Sequence, residues 1–268
     1  ALKNKGVAIV YISHRMEEVF AHCDTITVMR DGYAISSKPT RETIMEQVVR
    51  DMVGRSITEY YPGRTNEPGE IVLEVKNFCQ EGLLNNISFK LRKGEILGVA
   101  GLMGAGRTEI MRALFGVDSC KHGEVYLHGK KVCIQKPEDA IKAGIGFITE
   151  NRKSEGLILD FSISRNIALP SVDTFAKRSV INAKNETAFS EALSKKLGVK
   201  TASIDLEAGA LSGGNQQKVV IAKWIGMNPS IIIMDEPTRG IDVGAKRDIY
   251  DLMNELTSQG VAIIMVSS

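Results

Sequence analysis

Apolar residues in this chain gather in short runs bounded by turn-forming residues, and the pattern inside each run predicts its element. Residues 7–12, 96–100, 145–148, 231–234 and 261–266 are nearly unbroken apolar runs, which predicts buried strands, with 96–100 covered on both faces. Residues 71–75 and 87–91 alternate apolar with polar, as strands of a partly exposed sheet do. Shorter strands are predicted at 25–29, closed by the turn Arg30-Asp31-Gly32, and at 124–127. Helices are predicted at 15–22, 40–53, 107–115, 137–143, 164–169, 184–197, 216–227 and 245–257. In 40–53, Thr40 is placed to cap the helix, and Ile44, Val48 and Met52 recur every fourth residue. Helices that alternate with buried strands from residue 96 onward predict an α/β domain with a largely parallel sheet.

The pattern is interrupted once and repeated once. Residues 54–69 carry Tyr60-Tyr61-Pro62-Gly63 and Glu67-Pro68-Gly69, and two such breaks so close together predict a linker. The repeat joins Gly6–Ser13, reading GVAIVYIS, to Gly260–Ser267, reading GVAIIMVS; His14 follows the first copy and Ser268 the second. A core strand met twice predicts two homologous units in tandem. On this expectation residues 1–53 are the tail of an upstream unit, 54–69 the linker, and 70–268 a second unit cut off after its last core strand. The absence of an initiating Met points the same way, to a piece of a longer chain.

Composition narrows the class only modestly. With 43% apolar and 25% charged residues in 268, the chain reads as an ordinary soluble globular protein. Its 34 basic and 32 acidic residues nearly cancel, so there is no general attraction to nucleic acid or anionic membrane. No apolar run approaches the roughly 20 residues a membrane-spanning helix needs. Cys23, Cys79, Cys120 and Cys133 form no CxxC pair and lie on or beside predicted strands, which predicts buried free thiols in a reducing cytosol. His22, His122 and His128 lack metal-ligand spacing.

The chemistry lies in three stretches. After the buried run 96–100 come Gly101, Leu102, Met103, Gly104, Ala105, Gly106, Arg107 and Thr108, followed by Glu109 and a predicted helix. This fits the phosphate-loop pattern GxxxxGK[ST] except that Arg107 stands for Lys. The glycines let backbone N–H groups turn inward, the helix start adds partial positive charge, and Thr108 offers a hydroxyl to Mg²⁺. Next, the apolar run 231–234 delivers Asp235 and Glu236 at its carboxyl end, where α/β sheets bind ligands. Asp235 is placed to hold Mg²⁺ through water and Glu236 to polarise an attacking water. The third stretch is Leu211, Ser212, Gly213, Gly214, Asn215, Gln216, another glycine-rich turn opening a helix. One domain already has its own phosphate loop, so a second anion-binding helix start makes sense as a cap on a partner's nucleotide.

GxxxxG[K/R]T, LSGG-Q and apolar-DEPT in this order resemble the nucleotide-binding domain of an ATP-binding cassette (ABC) ATPase, over residues 70–268. The strings GLMGAGRTE, TENRKSEGL, LSGGNQQK and DEPTRGIDVGAK are similar to the second cassette of the tandem ATPases that power bacterial importers of simple sugars such as ribose, galactose and xylose. The resemblance implies a P-loop fold with a mainly parallel core sheet, an antiparallel β subdomain and a helical signature subdomain. It implies ATP and Mg²⁺ as ligands, with Gly101–Glu109 cradling the phosphates. Glu150, where most cassettes have Gln, then lies in the loop that senses Mg²⁺ and touches the membrane subunits. Ser212–Gln216 is the signature, Asp235 and Glu236 are the second metal-site pair, and Gly240, Ile241 and Asp242 face the partner cassette. His14 becomes the switch histidine of the upstream cassette. Phe78 lies near the place of the adenine-stacking aromatic, without clear register. The implied partners are the first cassette, the transmembrane permease subunits and, indirectly, a sugar-binding protein, at the cytoplasmic face of the membrane.

The family places each nucleotide between one cassette's phosphate loop and the other's signature. Arg107, Glu150 and Ser268 depart from the pattern at one of the two sites, which predicts binding with poor turnover there. The signature is intact and serves the site where His14 acts. A tandem cassette working on ribosomes or DNA carries the same motifs but needs basic stretches or a long charged linker. The near-zero net charge and the short linker argue against it. A cassette that binds ATP only to regulate is the other alternative.

Overall fold

The structure, a computed structural model, describes residues 5–13, 15–30, 32–54, 63, 66–80, 82–102, 104–119, 122–177, 180–241 and 243–267. The chain divides into two compact units, residues 1–63 with 241–251 and residues 64–240 with 252–268. His14, Met103, Asp242, Ser268, Cys120 and most of the expected linker lie outside the described residues.

In the first unit, helix α1 (Met16–His22) precedes a hairpin of β1 (Thr25–Arg30) and β2 (Tyr33–Pro39), and helix α2 (Met45–Val53) follows. Ile26 and Val28, on one face of β1, pack with Val19 of α1 and Val48 of α2, and Met16, Phe20, Cys23 and Met52 surround them. Three expectations change here. Residues 7–12 are not a strand: no described strand pairs with them, and Val10 and Ile12 are 90% and 93% exposed. A buried strand needs ladder partners on its edges, and an apolar run without them is only an exposed segment. The helix expected over 40–53 starts at Met45, because Thr43 and Ile44 are extended and Thr40 opens a single 3₁₀ turn. Thr40 Oγ1 donates to the Cys23 carbonyl (2.6 Å), tying hairpin end to helix end rather than capping α2. Strand β2, whose polar sequence gives little periodicity, was not anticipated.

The second unit begins with β3 (Ile71–Gln80), β4 (Leu84–Arg92) and β5 (Ile96–Ala100), then helix α3 (Arg107–Leu114). There follow β6 (His122–Leu127), β7 (Lys130–Val132), α4 (Pro137–Lys142), β8 (Ile145–Ile148), α5 (Ile163–Ala168), α6 (Val172–Phe175) and a small hairpin of β9 (Ala176–Lys177) and β10 (Val180–Ile181). Helices α7 (Ala183–Lys196) and α8 (Gly213–Ile225), strand β11 (Ile231–Asp235), helix α9 (Val243–Ser258, of which only residues 252–258 belong to this unit) and strand β12 (Ala262–Ser267) complete the order. The predicted α/β architecture is present as a four-stranded parallel sheet ordered β5-β12-β11-β8. A second, antiparallel sheet has the order β4-β3-β6-β7. Helices α5, α7 and α8 pack together as a helical layer.

The core explains the apolar runs. Ile231–Met234 and Ile263–Ile264 are fully buried, as central strands of a covered parallel sheet must be. Phe115, just after α3, meets Phe147 of β8 and stands edge-on to Trp224 of α8, with centroids 5.4 and 5.5 Å away. Strand β5 departs from expectation: among the described residues it is an edge strand, with Gly98 and Ala100 exposed and the rest half-buried, so its continuous apolar character overstated its burial. Cys133 is exposed and Cys23 and Cys79 are half-buried, so these thiols are not the core residues expected. Among the described residues no helix is long and apolar enough to cross a membrane.

Candidate functional site

The carboxyl ends of β5, β11 and β12 lie side by side in the parallel sheet, and the expected chemistry converges there. The chain leaves β5 through the glycine loop and enters α3. Gly104 and Gly106 take φ +81° and +84°, a left-handed conformation that side chains strain to adopt. At Gly106 there is also no room: a Cβ would lie 3.1 Å from Leu84 Cδ2 and 3.3 Å from the Leu83 carbonyl. Gly106 is the N-cap of α3 and no side chain caps the helix, so the first-turn N–H groups stay open to an anion.

Thr108, on the first turn of α3, donates its hydroxyl to Asp235 Oδ2 at 2.7 Å. Asp235 is almost wholly buried, and its second oxygen, Oδ1, has no hydrogen-bond partner. Burial raises the Asp235 carboxyl above the ordinary carboxylate range; the Thr108 bond opposes this, neighbouring Glu236 reinforces it, and Arg107 opposes it. A buried carboxylate with one orphaned oxygen beside a threonine hydroxyl is a donor set that fits a hard divalent cation. Thr149 Oγ1, just beyond β8, is a second buried oxygen without a partner at this edge of the sheet.

Glu236 leaves β11 in the left-handed region, φ +45°, which is strained for a non-glycine residue. The strain is held by its N–H, which donates to the Val266 carbonyl (3.0 Å), and by its carbonyl, which accepts from Arg239 N (3.0 Å). Arg107 does not point freely into the loop. Its Nη1 donates to the Ser267 carbonyl (2.6 Å) and lies 3.9 Å from Glu236 Oε1, both side chains being largely covered. Arg107, Thr108, Asp235 and Glu236 are thus one connected set. Glu109, in the same turn of α3, is half-buried; Gly101, Leu102, Gly104 and Ala105 are exposed, as a ligand cradle requires.

A cleft of about 520 Å³ opens beside this loop, lined by Cys79, Gln80, Gly82, Leu83, Leu84, Asn85 and His122. Phe78 is 5% exposed and belongs to the core, so it presents no ring for stacking.

The glycine turn at Ser212, Gly213 and Gly214 opens α8. Ser212 is exposed and its side chain caps nothing, while Asn215 Nδ2 donates to Ser212 Oγ (3.1 Å) and Asn215 Oδ1 accepts from Lys200 N (2.9 Å). Gln216 is buried and donates to the Ala208 carbonyl at 3.3 Å. Among the described residues no hydrogen bond or ion pair joins this turn to the glycine loop before α3. The structure therefore gathers Arg107, Thr108, Asp235 and Glu236 and leaves the turn Ser212–Gln216 apart, with Ser212 exposed, Gly213–Asn215 half-buried and Gln216 buried.

Glu150 follows β8 and is ion-paired with Arg239. Sequence reasoning assigned no role to Arg152, inside the π-helical turn Arg152–Gly156, or to the buried Lys223 of α8. Both donate to backbone carbonyls, Arg152 to those of Arg239 and Gly240 and Lys223 to that of Gly156, and a carbonyl leaves no mark in a motif.

Comparisons with known proteins agree with this geometry. The ABC transporter family profile matches residues 84–239. The ribose import ATP-binding protein RbsA of Bacillus subtilis is 60% identical over 268 residues, all of this chain and 54% of that protein. That of Bacillus licheniformis is 59% identical over the same span and share. The chain thus spans about half the length of these relatives. Among solved structures, a dimeric ATP-binding cassette bound to ADP and Pi aligns with a TM-score of 0.62 at 24% identity, over 73% of this chain and 87% of that one. An ABC transporter cassette in its ADP conformation aligns at 0.61 and 23%, over 74% and 81%. At these identities the structural likeness speaks for the fold.

Proposed function

The chain belongs to the ABC transporter family, and from that premise we propose that it binds ATP at Gly101–Glu109 as part of the ATPase of a bacterial sugar importer, with ribose as the sugar its relatives name. One observation carries the reading: at the sheet's carboxyl edge, the hydroxyl of Thr108 and the orphaned oxygen of buried Asp235 stand beside an uncapped glycine-rich helix start. The phosphates lie against the open N–H groups of that start, and the adenosine lies in the cleft by Leu83, Leu84 and His122. Recognition of the base then rests on apolar contact and the imidazole rather than on a stacked aromatic. Thr108, Asp235 and Glu150 are the residues that would hold Mg²⁺, which when bound neutralises charge on the phosphates. Glu236 orients and accepts a proton from the attacking water.

The two nucleotide sites of the assembled ATPase are unequal. At the site on Gly101–Thr108, Arg107 is engaged by the Ser267 carbonyl and approaches Glu236, which supports binding with poor turnover. The signature Ser212–Gln216 caps the nucleotide of the upstream cassette, whose switch histidine is His14. The permease subunits and a sugar-binding protein are the further partners, and the chain works at the cytoplasmic face of the membrane, as the C-terminal cassette following residues 1–53. The test is an ATP titration beside a phosphate-release assay, on wild type and Glu236→Gln. Saturable ATP binding by both, with phosphate release reduced in the variant, is expected; absence of ATP binding by the wild-type chain refutes the reading. Uptake of labelled ribose by vesicles carrying the assembled transporter checks the sugar.

A further inference from the structure

We infer that Arg152 is a positioning residue that locks the signature turn to the loop behind Glu236, so that the two move as one surface. The inference rests on the reading that Ser212–Gln216 caps a nucleotide. Arg152 begins the π-helical turn after Glu150, and its guanidinium reaches two separate elements. Nη1 donates to the Arg239 carbonyl at 3.0 Å and Nη2 to the Gly240 carbonyl at 3.3 Å, on the loop that follows β11. Nε points at Gln216 Oε1, 3.4 Å away on the first turn of α8. The planar fork of arginine suits this task, because one rigid group meets three acceptors in fixed directions.

The junction is reinforced from both sides. Glu150 pairs with Arg239, a second tie between the same two segments. Lys223, two turns beyond Gln216 on the same face of α8, donates to the Gly156 carbonyl at 3.0 Å, so α8 holds the π-helical turn at each end. The first signature glycine is fitted around the fork. A Cβ on Gly213 would lie 2.7 Å from Arg152 Nη2 and 3.3 Å from the Gly240 carbonyl. Gly213 is therefore small here for the sake of Arg152 as much as for any anion. A shift of the Glu150–Gly156 segment is transmitted to the open N–H groups of α8 and to the backbone holding Glu236 together.

The test is amide hydrogen exchange on the full chain, with wild type, Arg152→Ala, Arg152→Lys and Gly213→Ala. Arg152→Ala should raise exchange at 213–216 and at 236–240 together, by about tenfold or more, and leave 104–110 unchanged. Arg152→Lys, which keeps the charge and loses the fork, should fall between. Gly213→Ala, which pushes the guanidinium away without removing it, should loosen 236–240 as well. If Arg152→Ala loosens 213–216 alone, or if Gly213→Ala leaves 236–240 at the wild-type rate, the inference is wrong. Loosening of every segment in Arg152→Ala leaves Gly213→Ala to decide on the same criterion. In the complete ATPase, Arg152→Ala should lower kcat about tenfold with little change in KM for ATP. An effect on KM alone overturns the inference. If instead Ser212→Arg leaves hydrolysis intact, the signature reading itself has failed, whatever Arg152 does.

Discussion

Two glycine-rich turns in this molecule open a helix without a side-chain cap, one before α3 and one before α8, and they are fastened in opposite ways. The first is fixed from within. Arg107 and Thr108, part of the helix it opens, reach out to the ends of β12 and β11. The second is fixed from outside, by Arg152 of another segment, while among the described residues the side chains of Ser212 and Asn215 bond to each other and to Lys200 N. A turn welded to the sheet keeps its geometry whatever happens elsewhere, which suits a resident ligand. A turn held by a neighbour moves when the neighbour moves, which suits a cap that must close on a ligand held by another cassette.

The sharpest way to break this comparison is to disable each turn in the assembled ATPase. Ser212→Arg should abolish transport-linked hydrolysis, because this turn is proposed as the cap of the more active site. Arg107→Ala should leave much of it, because its own site is proposed as the slower one. Steady-state phosphate release measures both, and a greater loss in Arg107→Ala would reverse the ranking of the two sites.

The next effect is on binding rather than turnover. Gly106→Ala puts a side chain into a left-handed, crowded position, at about 1–2 kcal/mol of strain. ATP affinity of the chain, read with a fluorescent analogue, should fall by about tenfold or more. Gly213→Ala should leave that affinity alone, since its effect runs through Arg152 to the loop at 236–240 and not to the phosphate loop 101–108. Equal losses in the two variants would mean that the turns are not independent.

How much of this was legible before the fold was known depends on where the information lies. The phosphate loop was legible because its backbone demands glycine at Gly104 and Gly106, and because Asp235 ends a run of four buried apolar residues in β11. The repeated stretch shows the limit. Residues 7–12 and 261–266 are nearly the same string, yet Ile263 and Ile264 are fully buried between β5 and β11 while Val10 and Ile12 stand in solvent. Strand formation there is decided by ladder partners, and a local pattern carries no information about partners. Arg152 was illegible for a related reason. Two of its three acceptors are backbone carbonyls far along the chain, which any residue supplies.

A smaller effect, on stability, separates the chemistry beneath the two turns. Beneath the first lies Asp235, whose carboxyl is raised chiefly by burial. The folded state therefore holds its proton more tightly than the unfolded state. Stability falls as pH rises from the ordinary carboxylate value, about 3.9, through the raised one. In the absence of ligands Asp235→Asn should unfold later than wild type at pH 7, by on the order of 1 kcal/mol, and lose that advantage in acid. The same variant should lose the Mg²⁺ dependence of ATP binding. Denaturant titrations at pH 4 and pH 7 check the first point.

Beneath the second turn lies Lys223, buried in α8 with the Gly156 carbonyl as acceptor, its amine lowered by burial. Here the sign is opposite. Between the lowered value and the ordinary lysine value of about 10.4, the unfolded chain binds more protons than the folded one, so stability rises with pH across that window. Lys223→Met removes the titration and keeps most of the side-chain volume. It should change stability at pH 7 by less than about 1 kcal/mol, because relief of the buried charge offsets the lost hydrogen bond. The variant should be missing the alkaline rise, while ATP affinity at Gly101–Thr108 stays at the wild-type level. Parallel denaturation curves for the two proteins from pH 7 to about 10 isolate this lysine, since every other titrating group is common to both. A lost affinity would show that α8 and α3 are coupled through the core, and that the two turns are one device rather than two.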